Sequence, residues 1–322
     1  MMLRALAVHA VSPDVHECHD MDDFARPARY SHHADCERTI NMTALMHKRA
    51  EVNGVNLHYV VTGSGPVVLC MHGWPQNHRE FLPVITALAD RYTFIAPDLR
   101  GYADSDKPRD GYDPLTIADD MLGLLAVEGV DKFHIFSHDL GGPPSVALAY
   151  KAVDRALSLA TIETPFFGLD YPGYTDPQVA YWHLAMHMHV DITQLLVEGR
   201  EDQYLRHFFR DFAYNPAAMP ESEVQQYITT MRQPGNLRGG LNHYGYIPEM
   251  AAQTAELTRS PLHVPMLAWA GRSSFGDHCF ASAKAISVSA EGGVIEDCGH
   301  WVFEEQPEFI TEDLARFWTS HS

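Results

Sequence analysis

A carboxylate stands at the centre of residues 137–142, Ser-His-Asp-Leu-Gly-Gly, directly after an apolar run that ends at Phe136. The pattern small-X-nucleophile-X-small, with Ser137 and Gly141 as the small residues, turns a chain sharply from strand to helix and holds its central side chain outward on a strained backbone. A central Ser would attack acyl carbons, whereas the carboxylate of Asp139 suits displacement at a saturated carbon. Asp139 therefore has two interpretations, a nucleophile or a cap for the helix that begins near Gly141.

A base that could serve such a nucleophile is His300, in the predicted loop between the last strand and the last helix. Neutral imidazole can remove a proton from water, a role suited by its pKa near neutrality. The imidazole needs a carboxylate to orient it, and the chain offers two. Glu163 directly follows a predicted strand, while Asp277 lies in a loop, where it is otherwise a solvated residue or a helix cap. Both carboxylates stay candidates on the residues alone.

Strands and helices alternate around these residues and must position them. A short all-apolar run at 67–71 is typical of a buried parallel strand, and 156–162 reads as another apolar strand. A further strand is predicted at 132–136, ahead of Asp139, and apolar residues recur with helical spacing at 115–127. Asn53-Gly54 predicts a tight hairpin ahead of them. Strict alternation of this kind predicts an α/β fold with a mostly parallel sheet.

The alternation breaks between about residues 166 and 259, where helices are predicted at 178–196, 201–212 and 221–231. An all-helical insertion after a sheet strand predicts a cap over the carboxyl edge of the sheet, where open α/β sheets bind ligands. We therefore expect three regions, listed here by residue number: a poorly ordered N-terminal extension at 1–45, a core formed by 46–165 and 260–322, and a cap at 166–259.

Composition narrows the range of partners. The 322 residues carry a formal net charge of −19, which argues against nucleic acid and anionic membranes and is compatible with a small neutral substrate. The five cysteines are odd in number and scattered, and no apolar stretch approaches the roughly 18 residues of a membrane span, so we expect a cytoplasmic protein. No nucleotide fingerprint occurs, and the His and Cys spacings of the first 45 residues match no zinc pattern, so no cofactor or metal is predicted.

Four motifs in a fixed order resemble the α/β-hydrolase superfamily over about residues 49–320. They are 72–75 (His-Gly-Trp-Pro), 98–105 (Asp-Leu-Arg-Gly-Tyr-Ala-Asp-Ser), 137–142 and 299–301 (Gly-His-Trp). The resemblance implies a mostly parallel eight-stranded sheet flanked by helices, with an inserted helical cap. An aspartate nucleophile is typical of the branch that contains epoxide hydrolases, haloalkane dehalogenases and fluoroacetate dehalogenases. Three further segments are most similar to Cif-like epoxide hydrolases: 162–165 (Ile-Glu-Thr-Pro), 181–184 (Tyr-Trp-His-Leu) and 242–244 (Asn-His-Tyr).

The resemblance implies a role for each catalytic candidate. Asp139 is the nucleophile and His300 the base that activates water. Glu163 is the acid that orients the base, as in the Cif-like enzymes, although many other α/β-hydrolases keep the acid where Asp277 lies.

Further groups would support the two chemical steps. The backbone N–H groups of Trp74 and Leu140 are the expected oxyanion hole, because one follows the His-Gly pair and the other follows the nucleophile. His183 and Tyr244 in the cap are expected to donate hydrogen bonds to the epoxide oxygen. Neighbouring residues of the cap are alternatives for these two donors: Tyr181, His187, His189 and Tyr246.

These roles imply an epoxide hydrolase that forms an ester on Asp139 and releases a vicinal diol. The nearest alternative is a dehalogenase with the same aspartate and histidine. Haloalkane dehalogenases usually place Trp after the aspartate and fluoroacetate dehalogenases place Arg, whereas this chain has Leu140, although segment 181–183 is also similar to the fluoroacetate enzymes. An alternative of another class is a binding protein that has kept the fold and lost activity. The resemblance also suggests a homodimer.

Overall fold

The structure, a computed structural model, describes residues 45–170 and 181–322. Apart from Leu45, the predicted N-terminal extension lies outside the described residues, and so do residues 171–180 of the predicted cap.

Eight strands form one sheet in the described part of the chain. Their bounds are β1 (Met46–Val52), β2 (Val55–Gly63), β3 (Val67–Met71), β4 (Thr93–Pro97), β5 (Phe133–His138), β6 (Ala156–Ile162), β7 (Met266–Gly271) and β8 (Ala290–Ile295). The spatial order is β1-β2-β4-β3-β5-β6-β7-β8, in which β2 pairs antiparallel with both of its neighbours and all other neighbours are parallel. The predicted mostly parallel eight-stranded sheet is confirmed.

The hairpin predicted at Asn53-Gly54 joins β1 to β2. Both residues have positive φ, 46° and 75°, and the strand pairing closes on Val52 opposite Val55. Asn and Gly tolerate this left-handed backbone better than other residues, which explains their use at the turn.

Alternate residues of the central strands face two apolar cores on opposite sides of the sheet. In β3, Leu69 and Met71 belong to one core, and Val68 and Cys70 belong to the other. Because both faces are covered, the strand reads as a continuous apolar run in the sequence.

Helices pack on both cores. Outside the β6–β7 connection they are α1 (Leu82–Leu88), α2 (Pro114–Val127), α3 (Gly142–Lys151), α10 (Asp277–Ile286), α11 (Val302–Glu305) and α12 (Pro307–Ser320), with short 3₁₀ helices at His78–Phe81 and Asp139–Gly141. Residues of α1 and α12 join the core of Val68, while residues of α2, α3 and α10 join the core of Leu69. The start of α2 is fixed locally, because the side chain of Asp113 accepts a hydrogen bond from the Thr116 N–H and Pro114 occupies the first turn.

Six helices lie between β6 and β7 in the described ranges, which confirms the helical insertion. They are α4 (Trp182–Met188), α5 (Val190–Val197), α6 (Glu201–Asp211), α7 (Glu221–Met231), α8 (Asn236–Gly245) and α9 (Ile247–Leu257). We use the word cap for the described residues 181–257 of this insertion.

Two details of the cap differ from the sequence prediction. The single helix predicted at 178–196 is interrupted, because His189 has a non-helical backbone (φ −89°, ψ 66°) between α4 and α5. Helices α8 and α9 were not predicted, since α8 contains three glycines with low helix propensity. Burial of Leu241, Tyr244 and Ile247 stabilises them in place of propensity.

No helix in the described ranges combines the length and the apolar character that crossing a bilayer requires. Three cysteines in these ranges, Cys70, Cys279 and Cys298, are buried free thiols.

Candidate active site

Asp139 lies where β5 ends and turns into the 3₁₀ helix that precedes α3. Its φ is +45°, in the left-handed region that costs a non-glycine residue about 1–3 kcal/mol. The turn needs small neighbours, because a Cβ on Gly141 would lie 2.0 Å from the backbone oxygen of Met71. The side chain does not cap α3, because the N-cap position of that helix is Gly141 and no side chain makes a cap hydrogen bond there. The carboxylate is therefore held outward at the carboxyl edge of the sheet.

A backbone N–H group binds this carboxylate from the loop after β3. The N–H of Trp74 donates to Oδ2 of Asp139 at 2.9 Å. The approach requires glycine at the preceding position, because a Cβ on Gly73 would lie 2.4 Å from Cβ of Asp139 and 2.7 Å from Oδ2. Leu140, the other predicted oxyanion-hole residue, is buried in the turn directly after Asp139.

His300 and Glu163 form a buried pair at the same edge. Nδ1 of His300 donates to Oε2 of Glu163 at 2.8 Å, and the N–H of Gly271 donates to Oε1 of Glu163 at 2.6 Å. Glu163 follows β6 with φ +49°, so a second strained residue ends a strand beside Asp139. The backbone N–H of His300 donates to the carbonyl of Phe212 in the cap. The pair is thus fixed by contacts from both the sheet and the cap.

Asp277, the alternative acid, does not reach His300. Its side chain is 86% exposed and forms an ion pair with Arg272 at 3.1 Å. It is the first residue of α10, where an acidic side chain interacts favourably with the helix dipole. The structure therefore places Glu163, and not Asp277, beside the imidazole.

Burial governs the protonation of the pair. It lowers the pKa of His300, and the neighbouring His138 lowers the pKa further. Burial also raises the pKa of Glu163. The hydrogen bond from the N–H of Gly271 opposes this rise, because it stabilises the carboxylate. With the hydrogen on Nδ1 directed to Glu163, Nε2 of the neutral His300 imidazole is the atom that can accept a proton.

His138, for which the sequence indicated no role, links the two halves of the site. It directly precedes Asp139, and its Nε2 lies 3.1 Å from the backbone oxygen of His300. Its Nδ1 lies 3.3 Å from Oε2 of Glu80, a buried residue of the first 3₁₀ helix. Because both ring nitrogens face acceptors, the geometry fits an imidazolium. Only its position next to the nucleophile could have drawn attention to it.

The predicted cap donors, His183 and Tyr244, face the same space as Asp139. Their ring centroids are 6.2 Å apart, and both are buried. Burial lowers the pKa of His183 to about 3 and raises that of Tyr244 well above its usual value, the latter also because of the charge on Asp139. Both side chains are therefore neutral hydrogen-bond donors at physiological pH.

The four alternative donors lie in different places. Tyr181 lines the same cavity as Asp139, whereas His189 is exposed and lines a separate surface cavity. His187 contacts the ring of Tyr244 at 4.4 Å, and its Nε2 is 2.6 Å from the hydroxyl of Tyr204. Tyr246 accepts a hydrogen bond from the N–H of Gly111. Of the four alternatives, Tyr181 shares the cavity with Asp139, His183 and Tyr244, whereas His187, His189 and Tyr246 do not line it.

One cavity joins the carboxylate, the imidazole and the cap donors. Its empty volume, including the opening to solvent, is ≈ 380 Å³. Aromatic side chains form most of the wall, a composition typical of sites for small apolar ligands. The lining residues are Trp74, Asp139, Tyr181, His183, Leu184, Phe208, Phe212, Tyr244, Ser274, Phe275, His300 and Trp301.

Known proteins share this architecture. Residues 66–307 match the family described as the α/β-hydrolase fold. The chain is 34% identical over 281 residues to a soluble epoxide hydrolase of Corynebacterium sp. strain C12, covering 85% of this chain and 98% of that protein. It is 35% identical over 139 residues to a fluoroacetate dehalogenase of Burkholderia sp., covering 41% and 46% of the two chains.

Solved structures give the same result for the fold. The epoxide hydrolase CorEH without ligand has a TM-score of 0.81 and 33% identity, with coverage of 86% of this chain and 99% of that chain. The Cif epoxide hydrolase from Acinetobacter nosocomialis has a TM-score of 0.78 at 22% identity, with coverage of 85% and 88%. The second similarity concerns the fold alone.

Proposed function

Since the chain belongs to the α/β-hydrolase family, we propose that it hydrolyses epoxides to vicinal diols through an ester on Asp139. One observation carries the proposal: the carboxylate of Asp139, the imidazole of His300 and the neutral donors His183 and Tyr244 line one cavity. The similarity to an epoxide hydrolase over almost the whole length of that relative supports the substrate class.

The first step opens the epoxide. Oδ2 of Asp139 is occupied by the Trp74 N–H, so Oδ1 is the attacking atom. It forms a bond to an epoxide carbon while the C–O bond of the ring breaks, and the electron pair goes to the departing oxygen. Hydrogen bonds from Tyr244 and His183 stabilise the resulting alkoxide. The alkoxide takes the phenolic proton of Tyr244, so the product of this step is a hydroxyalkyl ester of Asp139 beside a tyrosinate.

The second step hydrolyses the ester. Nε2 of His300 takes a proton from water, whose oxygen attacks the ester carbonyl, and Glu163 stabilises the imidazolium that forms. Negative charge develops on Oδ2, where the Trp74 N–H already donates; one such donor is worth roughly a hundred- to a thousandfold in rate. Collapse of this intermediate breaks the bond between the carboxyl carbon and Oδ1 and releases the diol, and the proton on His300 passes to the leaving alkoxide. The second proton of the water, left on the carboxyl group of Asp139, returns to Tyr244.

The substitution His300→Gln tests the covalent route. It should leave ester formation intact and block hydrolysis, so intact-mass measurement should show the protein heavier by one epoxide. Asp139→Asn is the matched control and should show no added mass. A His300→Gln protein that stays unmodified by an epoxide accepted by the wild type would refute the scheme.

Dehalogenation is the second candidate, favoured by the partial match to a fluoroacetate dehalogenase. The cavity offers two groups suited to a halide, because the indole N–H groups of Trp74 and Trp301 have no hydrogen-bond partner among the described residues. Against it, Leu140 supplies no donor after the nucleophile. Halide release from fluoroacetate and haloalkanes, compared with diol formation from a panel of epoxides, separates the two reactions. Binding of these compounds without turnover of either class would instead favour an inactive binding protein.

The substrate, the oligomeric state and the location in the cell stay predictions: a small-molecule epoxide, a homodimer and the cytoplasm. The molar mass in solution, measured by light scattering, tests the second, and cell fractionation tests the third.

A further inference from the structure

Four polar side chains meet at the carboxyl edge of the sheet, outside the cavity that holds Asp139. They are His47 on β1, His58 on β2, His78 in the first 3₁₀ helix and Asp98 directly after β4. None of the four lines the cavity, so the proposed reaction does not use them. His58, His78 and Asp98 are buried, and His47 is exposed at the surface.

The three buried residues converge through short contacts. Nδ1 of His58 lies 2.7 Å from Oδ2 of Asp98, and Nδ1 of His78 lies 2.6 Å from Oδ1. One ligand atom from each residue lies within 4.8 Å of the other two. Each side-chain oxygen of Asp98 therefore faces one imidazole nitrogen.

This donor set fits a divalent cation. Two imidazole nitrogens and one carboxylate oxygen are the ligands that Zn²⁺ takes in sites with one further position open to water. Bonds of about 2.1 Å in a tetrahedron place ligand atoms about 3.4 Å apart, so each imidazole nitrogen would move less than about 1 Å away from its Asp98 oxygen, while no two of the three ligand atoms are now more than 4.8 Å apart. We propose that His58, His78 and Asp98 bind Zn²⁺.

His47 lies at the surface beside the proposed metal site and contacts one of its ligands, His58. Its ring stacks on His58 with centroids 5.1 Å apart, and its Nδ1 lies 2.9 Å from Nε2 of His58. When the metal takes Nδ1 of His58, the hydrogen of that ring moves to Nε2, which then donates to His47 Nδ1. A hydrogen bond to the second nitrogen of a ligating histidine orients the ring and raises its basicity.

The site would tie four separate segments together. His47 and His58 belong to paired strands, and Asp98 begins the loop whose Ser105 accepts a hydrogen bond from the His58 N–H. A metal bound to the folded chain alone raises its resistance to unfolding. We therefore expect Zn²⁺ to raise the melting temperature.

Equilibrium dialysis of the full chelator-treated chain against ZnCl₂, followed by metal analysis, tests the site. The first 45 positions also contain His and Cys, residue types that can bind Zn²⁺, so the informative quantity is the difference between variants. His58→Asn and His78→Asn should each bind one equivalent fewer than the wild type and lose the thermal shift. His207→Asn, which removes a partly exposed cap histidine paired with Asp211, should bind as the wild type does.

His47→Asn keeps the test valid if the buried variants fail to fold, since His47 is exposed. Loss of this supporting residue should weaken Zn²⁺ binding about tenfold. The proposal is overturned if the wild type binds no Zn²⁺, if folded His58→Asn and His78→Asn proteins bind as much as the wild type, or if His47→Asn leaves the affinity unchanged.

Discussion

Nε2 of His138 lies 3.1 Å from the backbone oxygen of His300, so the residue before the proposed nucleophile supports the backbone of the proposed base. The same ring contacts Glu80 through Nδ1. While Glu80 is a carboxylate, both contacts need a hydrogen on the ring nitrogen, and only the protonated ring has two. The protonation of His138 therefore decides whether both are kept.

The first prediction concerns alkaline pH. Burial alone would lower the pKa of His138, but the charges of Glu80 and Asp139 raise it to about 9. A raised histidine pKa contributes stability that is complete below the unfolded value of about 6.5 and is lost as pH rises through the folded value. Urea unfolding should therefore show a loss of up to about 3 kcal/mol between pH 6.5 and pH 10.

The variant His138→Gln isolates this contribution. Its free energy of unfolding should be about 2 kcal/mol lower than that of the wild type at pH 7, and this free energy should fall less steeply toward pH 10. The matched variant His207→Asn should retain the wild-type profile. Equal pH profiles for the wild type and His138→Gln would show that the ring is not an imidazolium at neutral pH.

The second prediction separates the two candidate acids. Glu163→Gln should lower the turnover rate by about a hundred- to ten-thousandfold, because the imidazole loses the carboxylate that orients it and stabilises its charge. Asp277→Asn should leave the rate within about twofold, since its side chain is exposed. Steady-state rates with one epoxide suffice for the comparison, and equal losses in the two variants would contradict the assignment.

The third prediction concerns ring opening. Tyr244→Phe should slow ester formation by about a hundredfold while leaving ester hydrolysis unchanged, because the hydroxyl acts on the departing oxygen. Time-resolved intact mass in the His300→Gln background measures this step alone. Tyr150→Phe is the control, since that hydroxyl bonds the carbonyl of Ser260 away from the cavity. Ester formation at the same rate in the Tyr244→Phe and Tyr150→Phe variants would show that Tyr244 does not act on the departing oxygen.

The fourth prediction concerns Gly73, the glycine that packs against the side chain of Asp139. Gly73→Ala should reduce activity by at least about a hundredfold, because its Cβ would lie 2.4 Å from Cβ of Asp139 and displace the Trp74 N–H from Oδ2. Gly245→Ala is the control, since its Cβ would meet only the side chain of Val190 at 3.1 Å. Activity in Gly73→Ala equal to that of Gly245→Ala would show that the close approach is dispensable.

The sequence predicted the sheet and the principal site residues because each depends on a local pattern. A continuous apolar run marks a buried strand such as β3, and Asn53-Gly54 marks a turn that requires positive φ. The alternative between Glu163 and Asp277 stayed open, because both follow strands and only the packing of the loops decides which reaches His300.

Other features depend on contacts between distant segments. Helix α8 has three glycines and is stabilised by burial, so its composition did not indicate a helix. The contact of His138 with Glu80 joins residues 58 positions apart, and the cluster at Asp98 joins three separate segments. Neither has a spacing in the sequence that a motif could describe.

The contacts of the site span long stretches of chain: 65 residues separate Trp74 from Asp139, 137 separate Glu163 from His300, and 162 separate His138 from His300. Contacts between residues so far apart in the sequence form late in folding, because other contacts must first offset the entropy lost when long loops close. During refolding, the helices and the first hairpin should therefore appear before any catalytic activity, and a nascent chain gains its activity only once the residues around His300 have emerged.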